Sequence, residues 1–178
     1  MRKFICLLGL GLLFNTIFAN NLPPNILCRP PVSILTDVNQ CSGTTDLLPP
    51  LIISGNPTDF SIENDAPATF SIGETTVAWE LTDLDLNTFS CLQIVTVYDL
   101  DPPFLQCPNS FTIPTPQGSC SVNTAILNNA IWATDNCGNV QLANDAAAEI
   151  ESGTTVINWM ATDDYGNVST CQQNVQIV

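Results

Sequence analysis

Histidine is absent from this chain of 178 residues, and only three lysines and arginines stand against seventeen aspartates and glutamates. Without histidine there is no Ser-His-Asp or Cys-His nucleophile. With no C-x-x-C pair either, zinc and iron–sulfur ligation lack support. Two of the three bases, Arg2 and Lys3, sit at the extreme N-terminus, and Arg29 is the other. So few cations cannot drive nucleic-acid binding by counterion release, and they disfavour anionic lipid surfaces. Beyond residue 19 no stretch approaches eighteen apolar residues, so no membrane-spanning helix is expected there.

The first nineteen residues have the anatomy of a secretory signal peptide. A basic start (Met1-Arg2-Lys3) leads into the apolar run Phe4–Phe18, and the small Ala19 precedes the polar Asn20-Asn21. Its removal leaves one base against seventeen acids, a net charge of −16. Such acidity suits a solvated extracellular surface or divalent cations. Seven cysteines remain after the leader, dense for a reducing cytosol and ordinary for an oxidising compartment. The expected location is therefore secreted, extracellular or at the cell surface.

What is present is a repeat. "GETTVAWELTDLDLNTFSC" at 73–91 recurs as "GTTVINWMATDDYGNVSTC" at 153–171, and "PPNILCRPP" at 23–31 recurs as "PPFLQCPNS" at 102–110. A period of about 80 residues is too long for a solenoid and suits a small domain. The expected organisation is a leader at 1–19, then modules at 20–99 and 100–178. Short alternating or apolar runs (32–35, 51–53, 76–81, 92–97, 154–161, 172–178) are separated by Pro, Gly, Asn and Asp clusters. That pattern reads as all-β, a Greek-key sandwich in each module, with a terminal hairpin around "TDLDLN" or "TDDYGN". Leu86 stands where the second hairpin has Gly166, and Trp79 and Trp159 are expected in the cores.

The second module carries Cys107, Cys120, Cys137 and Cys171, the first only Cys28, Cys41 and Cys91. Aligning "NPTDFS" with "IWATDNC" sets Ser61 opposite Cys137. A cysteine after the terminal hairpin should lie near the start of its module. This favours Cys28–Cys91 and Cys107–Cys171, with Cys120–Cys137 as an extra bridge and Cys41 unpaired. The competing pattern joins Cys28 to Cys41, Cys107 to Cys120 and Cys137 to Cys171, and leaves Cys91 unpaired.

The run P-P-x-x-x-C-P at 102–108, "ATDNCGN" at 133–139 and "GTTVINWMATDDYGNVSTCQQNV" at 153–175 resemble the hyalin repeat, or HYR module. The first half is similar but departs at Arg29, Ser61 and Leu86. The resemblance implies two tandem immunoglobulin-like sandwiches in an extracellular, often adhesive protein with no catalytic residues. Many members carry only the cysteines equivalent to Cys107 and Cys171, which supports the favoured pairing. The four-cysteine form resembles those of secreted Bacteroidetes proteins.

Oxygen-rich loops carry the one hint of site chemistry. Asp83, Asp85 and Asn87 have cation-loop spacing, but Thr88 and Ile94 stand where an EF-hand needs Gly and Glu. Asp99 and Asp101 mark the module junction, as in the calcium-stiffened linkers of cadherins. Asp135, Asn136 and Asn139 could share a pole with Asp163, Asp164 and Asn167. Calcium is the ion these residues would suit, although Asp and Asn equally occupy such loops to bond their own backbone. Asn167-Val168-Ser169, a glycosylation sequon, reads as the tail of the same turn. No cofactor and no enzymatic activity are expected. The expected partners are extracellular proteins or glycans, with a homo-oligomer through the unpaired cysteine as the alternative and a hydrolase as the remote one.

Overall fold

A computed structural model describes residues 25–129 and 131–178, so the leader expected at 1–19 lies outside the described residues. In the first half the strands are β1 (Ile26–Leu27), β2 (Val32–Leu35), β3 (Ser42–Gly43), β4 (Leu51–Ile52), β5 (Phe60–Asn64), β6 (Phe70–Ser71), β7 (Gly73–Asp83) and β8 (Thr88–Tyr98). In the second they are β9 (Phe104–Gln106), β10 (Phe111–Ile113), β11 (Ser121–Asn123), β12 (Trp132–Thr134), β13 (Val140–Asn144), β14 (Glu149–Glu151), β15 (Gly153–Asp163) and β16 (Val168–Ile177). Among the described residues there is no α-helix, and no helix is long and apolar enough to cross a membrane.

One strand order occurs twice. A four-stranded sheet β2-β8-β7-β5 is joined by the pairs β1-β4 and β3-β6. Its counterpart is β10-β16-β15-β13, with β9-β12 and β11-β14. β2 runs parallel to β8 and β10 parallel to β16, while every other pairing is antiparallel. Alternation along the long hairpins sets the cores, because successive side chains leave a strand on opposite faces. Val77, Trp79, Leu81, Cys91, Val95 and Val97 cluster with Phe70 in the first half. Ile157, Trp159, Val175 and Ile177 cluster with Leu127 and Ile150 in the second. Fully burying a side chain of this size stabilises by about 1.5–3 kcal/mol.

Within each core a tryptophan faces a cysteine. Trp79 is in register with Cys91, and Trp159 with Cys171. Cys91 is bonded to Cys28 and Cys171 to Cys107, with Cα separations of 5.7 and 5.8 Å. Trp79 Nε1 donates to Gln93 Oε1 at 3.1 Å, and Gln93 Nε2 donates to the Pro30 carbonyl at 3.1 Å. Trp159, Gln173 and the Asn109 carbonyl repeat the relay at 3.1 and 2.8 Å. Two buried amides are thereby satisfied, and each ties its long hairpin to the chain just after the first cysteine.

Two expectations about cysteine are corrected. Cys120 and Cys137 are not bonded to one another. The Cys120 carbonyl accepts from Ser152 N, beside the start of β15, whereas Asn139 N meets Asp164 beyond its end. β15 has 11 residues, and a rise of about 3.3 Å per residue puts its ends roughly 30 Å apart. Nor does Ser61 stand where Cys137 does. Phe60 pairs with Asp83 as Val140 pairs with Asp163, so Pro57 occupies the equivalent position.

The two hairpin turns share one geometry on unequal residues. Asp83 N donates to Asn87 O and Asp163 N to Asn167 O, at 3.0 and 3.1 Å. The fourth turn residue is left-handed in both, φ 66° at Leu86 and 89° at Gly166. A side chain there costs about 1–2 kcal/mol. The Leu86 side chain is 82% exposed, so little packing is lost on its removal. Leu86→Gly should therefore raise stability in urea unfolding by up to about 1 kcal/mol, net of glycine's added unfolded-state entropy. Gly166→Leu should lower it by about 1–2 kcal/mol. A neutral or destabilising Leu86→Gly would show that the first turn is unstrained.

Candidate functional site

The chain leaves β8 at Tyr98 and enters Asp99-Leu100-Asp101-Pro102-Pro103 before β9. The β15–β16 hairpin grips this link: Ser169 Oγ donates to Pro103 O at 2.6 Å, and Asn167 Nδ2 to Asp99 O at 3.3 Å. The loop between β12 and β13 arrives on the same side. Gly138 (φ 112°) allows its close approach, since a Cβ there would stand 2.6 Å from Asp164 Oδ2. That oxygen accepts instead from Asn139 N at 2.8 Å and Asn139 Nδ2 at 3.1 Å. From the first half comes the turn before β3, where Gln40 O accepts from Asn136 Nδ2 at 3.4 Å. An open groove of about 570 Å³ runs along this junction, lined by Val38, Asn39, Asp101, Phe104 and Asp135.

Asp99 is the anomaly. It is 5% exposed, its Oδ1 accepts only from Asp101 N at 3.1 Å, and its Oδ2 has no partner. Asp135 Oδ2 accepts from Cys137 N at 2.7 Å, and its Oδ1 is also buried without a partner. A carboxylate oxygen of each and the sulfur of Cys137 lie within 4.8 Å of one another. Burial holds the Asp99 carboxyl above its ordinary value; the Asp101 amide opposes that shift, and the charges of Asp135, Asp163 and Asp101 add to it. Arg29, the sole base among the described residues, donates to Pro49 O. Two unsatisfied carboxylates facing each other fit a hard cation, which binds through oxygen.

The loop residues expected to ligate divide into two groups. Asp99, Asp101, Asp163, Asp164 and Asn167 gather at the junction with Asp135. Asp83, Asp85 and Asn87 lie at the opposite end of β8, 11 residues away, or roughly 30 Å at strand rise. Asp83 and Asp163 are engaged by their own turns. Asp83 Oδ1 accepts from Asp85 N at 2.9 Å and Asn87 N at 2.8 Å, and Oδ2 from Asn87 Nδ2 at 2.9 Å. Asp163 does the same with Tyr165 N, Asn167 N and Asn167 Nδ2. The Asn87 side chain and these amides hold Asp83 below the ordinary carboxylate value. At Asp163 burial opposes ionisation, but the Asn167 side chain and turn amides outweigh it and lower the value. With its amide donating twice, the sequon residue Asn167 acts as part of the turn. Asp135 carried the weaker sequence signal, a loop position with no cation-like spacing, yet it faces Asp99.

Residues 98–177 match the HYR domain model. That half of the chain is an HYR-like domain, and its "ATDNCGN" loop and "TDDYGN" hairpin are the two segments that close on Asp99. Among solved structures, the chain is similar to human CDH23 EC21-23, at 13% identity and TM-score 0.40, covering 87% of this chain and 69% of that one. Sidekick-1 immunoglobulin domains 1-5 align at 10% identity and TM-score 0.43, with 87% and 39% covered. Protocadherin Gamma B2 extracellular cadherin domains 1-5 align at 13% identity and TM-score 0.40, again with 87% and 39% covered. This chain thus spans well under half the length of the last two.

A carboxyl whose folded value is raised favours the folded state most when protonated. Its contribution is full below the unfolded value, near 3.8 for Asp99, and is lost as pH climbs through the raised one. In chelator, Asp99→Asn should therefore gain stability relative to wild type between pH 4 and pH 7. Urea unfolding at several pH values measures this, and parallel curves for the two proteins would exclude a desolvated Asp99.

Proposed function

We propose that this chain is a secreted, non-catalytic adhesion or binding protein, built as two tandem immunoglobulin-like sandwiches at 20–99 and 100–178. It engages extracellular proteins or glycans through its surface. The HYR match over 98–177 carries the reading. The leader-like start, the two disulfides and the repeated strand order support it. Coupled to beads and offered immobilised extracellular proteins and glycans, the chain should be retained saturably. Absence of retention on every surface, or turnover of glycosidase or esterase substrates, would overturn it.

A calcium ion at the junction belongs to the same reading, with Asp99 and Asp135 as its first ligands and Asp101 beside them. It would neutralise the charges of buried Asp99 and half-buried Asp135, which Arg29, the sole base among the described residues, does not contact. The support is the pair of unpartnered buried oxygens. A ligand at a hundred times its dissociation constant stabilises by about 2.7 kcal/mol, which is several degrees in Tm for a chain this long. Millimolar calcium should produce that rise in wild type and not in Asp99→Asn. An unchanged wild-type Tm removes the ion from the proposal.

A second reading, covalent self-association, is favoured by the exposed thiols of Cys41 and Cys120. Its signature is a dimer on non-reducing gels that collapses with reductant and is absent in Cys41→Ser or in Cys120→Ser, whichever thiol bridges.

A further inference from the structure

Two thiols from opposite halves of the chain meet at the junction. Cys41 stands immediately before β3 and is exposed, and Cys137 lies in the β12–β13 loop, 1% exposed. Cys41 Sγ donates to the Asn136 carbonyl at 2.7 Å, and Cys137 Sγ donates to the Gln40 carbonyl at 3.2 Å. Each thiol thus reaches the backbone of the residue preceding the other cysteine. This reciprocal arrangement lays the two loops side by side with the sulfurs between them.

We propose that Cys41 and Cys137 form a disulfide that bolts the first repeat to the second. In an oxidising compartment, neighbouring thiols are joined by exchange with a small disulfide such as oxidised glutathione. The exposed Cys41 thiolate attacks one glutathione sulfur, and the second glutathione leaves as a thiolate and takes up a proton. The Cys137 sulfur then attacks Cys41 Sγ, giving up its own proton as the remaining glutathione departs. Two protein thiols are oxidised to one disulfide, and one glutathione disulfide is reduced to two thiols. Cys41 is exposed and Cys137 is buried, which makes Cys41 the entry point and Cys137 the resolving partner.

The bridge reassigns the odd cysteine. With Cys28–Cys91 and Cys107–Cys171 already joined, the thiol left over among the described residues is Cys120, at the far end of the second repeat. The bridge also holds the loop bearing Asp135 against the turn before β3, whether or not a cation binds there.

The test is disulfide mapping of the full chain refolded in a glutathione buffer, alkylated under denaturing conditions and digested without reduction. A Cys41–Cys137 linked peptide should dominate in the monomer, with Cys120 alkylated. Cys120→Ser should retain the link, and Cys41→Ser should lose it while keeping Cys28–Cys91 and Cys107–Cys171. Alkylated Cys41 and Cys137 beside those two intact bridges would overturn the proposal, as would a Cys120–Cys137 peptide. So would zinc retained through dialysis with Cys137 protected, because the thiolate would then serve a metal.

Discussion

Everything in each half of this protein hangs on one contact, a tryptophan in a long hairpin strand set across from a disulfide. Trp79 faces Cys91 and Trp159 faces Cys171, and the partner sulfurs come from the start of each half. An aromatic ring is large enough to fill a core of about 80 residues, but its indole N–H must find an acceptor when buried. Gln93 and Gln173 supply it, and their own amides donate to chain segments just past Cys28 and Cys107. Apolar packing, a covalent bond and a satisfied polar relay therefore converge on the same few atoms. A core built from about 80 residues buries little surface and gains most from such a staple.

The same economy is missing at the junction. Asp99 is buried and Asp135 half-buried, each with one buried oxygen unpartnered, in a chain with one base among its described residues. An uncompensated buried carboxylate is among the costlier features a fold can carry. By contrast, Asp83 and Asp163 meet three donors each and simply close their turns. Chemically alike residues thus divide by environment, and among the described residues Asp99 and Asp135 alone keep a buried side-chain oxygen without a partner.

Much of this was readable in advance. The repeat, the all-β pattern, the terminal hairpins and the inward tryptophans all follow from period-two alternation and turn residues. Alternation is local, so it survives without knowledge of the partner strand. Where a hairpin returns the chain favours Cys28–Cys91 and Cys107–Cys171, which the structure has, but leaves Cys28–Cys41 and Cys107–Cys120 open as alternatives. The parallel seating of β2 on β8 had no local signal, because it joins segments about 60 residues apart. The Ser61 alignment failed for a related reason: shared letters such as T-D mark turns, whereas strand register decides equivalence and puts Pro57 opposite Cys137.

The chain alone determined composition and periodicity: no histidine, a heavily acidic surface, two copies of one sheet, and cysteines in number for export. Each is a property of residues and their neighbours, so no folding is needed to state it. Tertiary structure decided which cysteine meets which and which carboxylates lose their water. Cys120 and Cys137 share a half yet sit at opposite ends of β15, while Cys41 and Cys137 come from different halves and each reaches the backbone beside the other. Proximity of this kind depends on where two long hairpins end in space, and spacing along the chain carries no record of it.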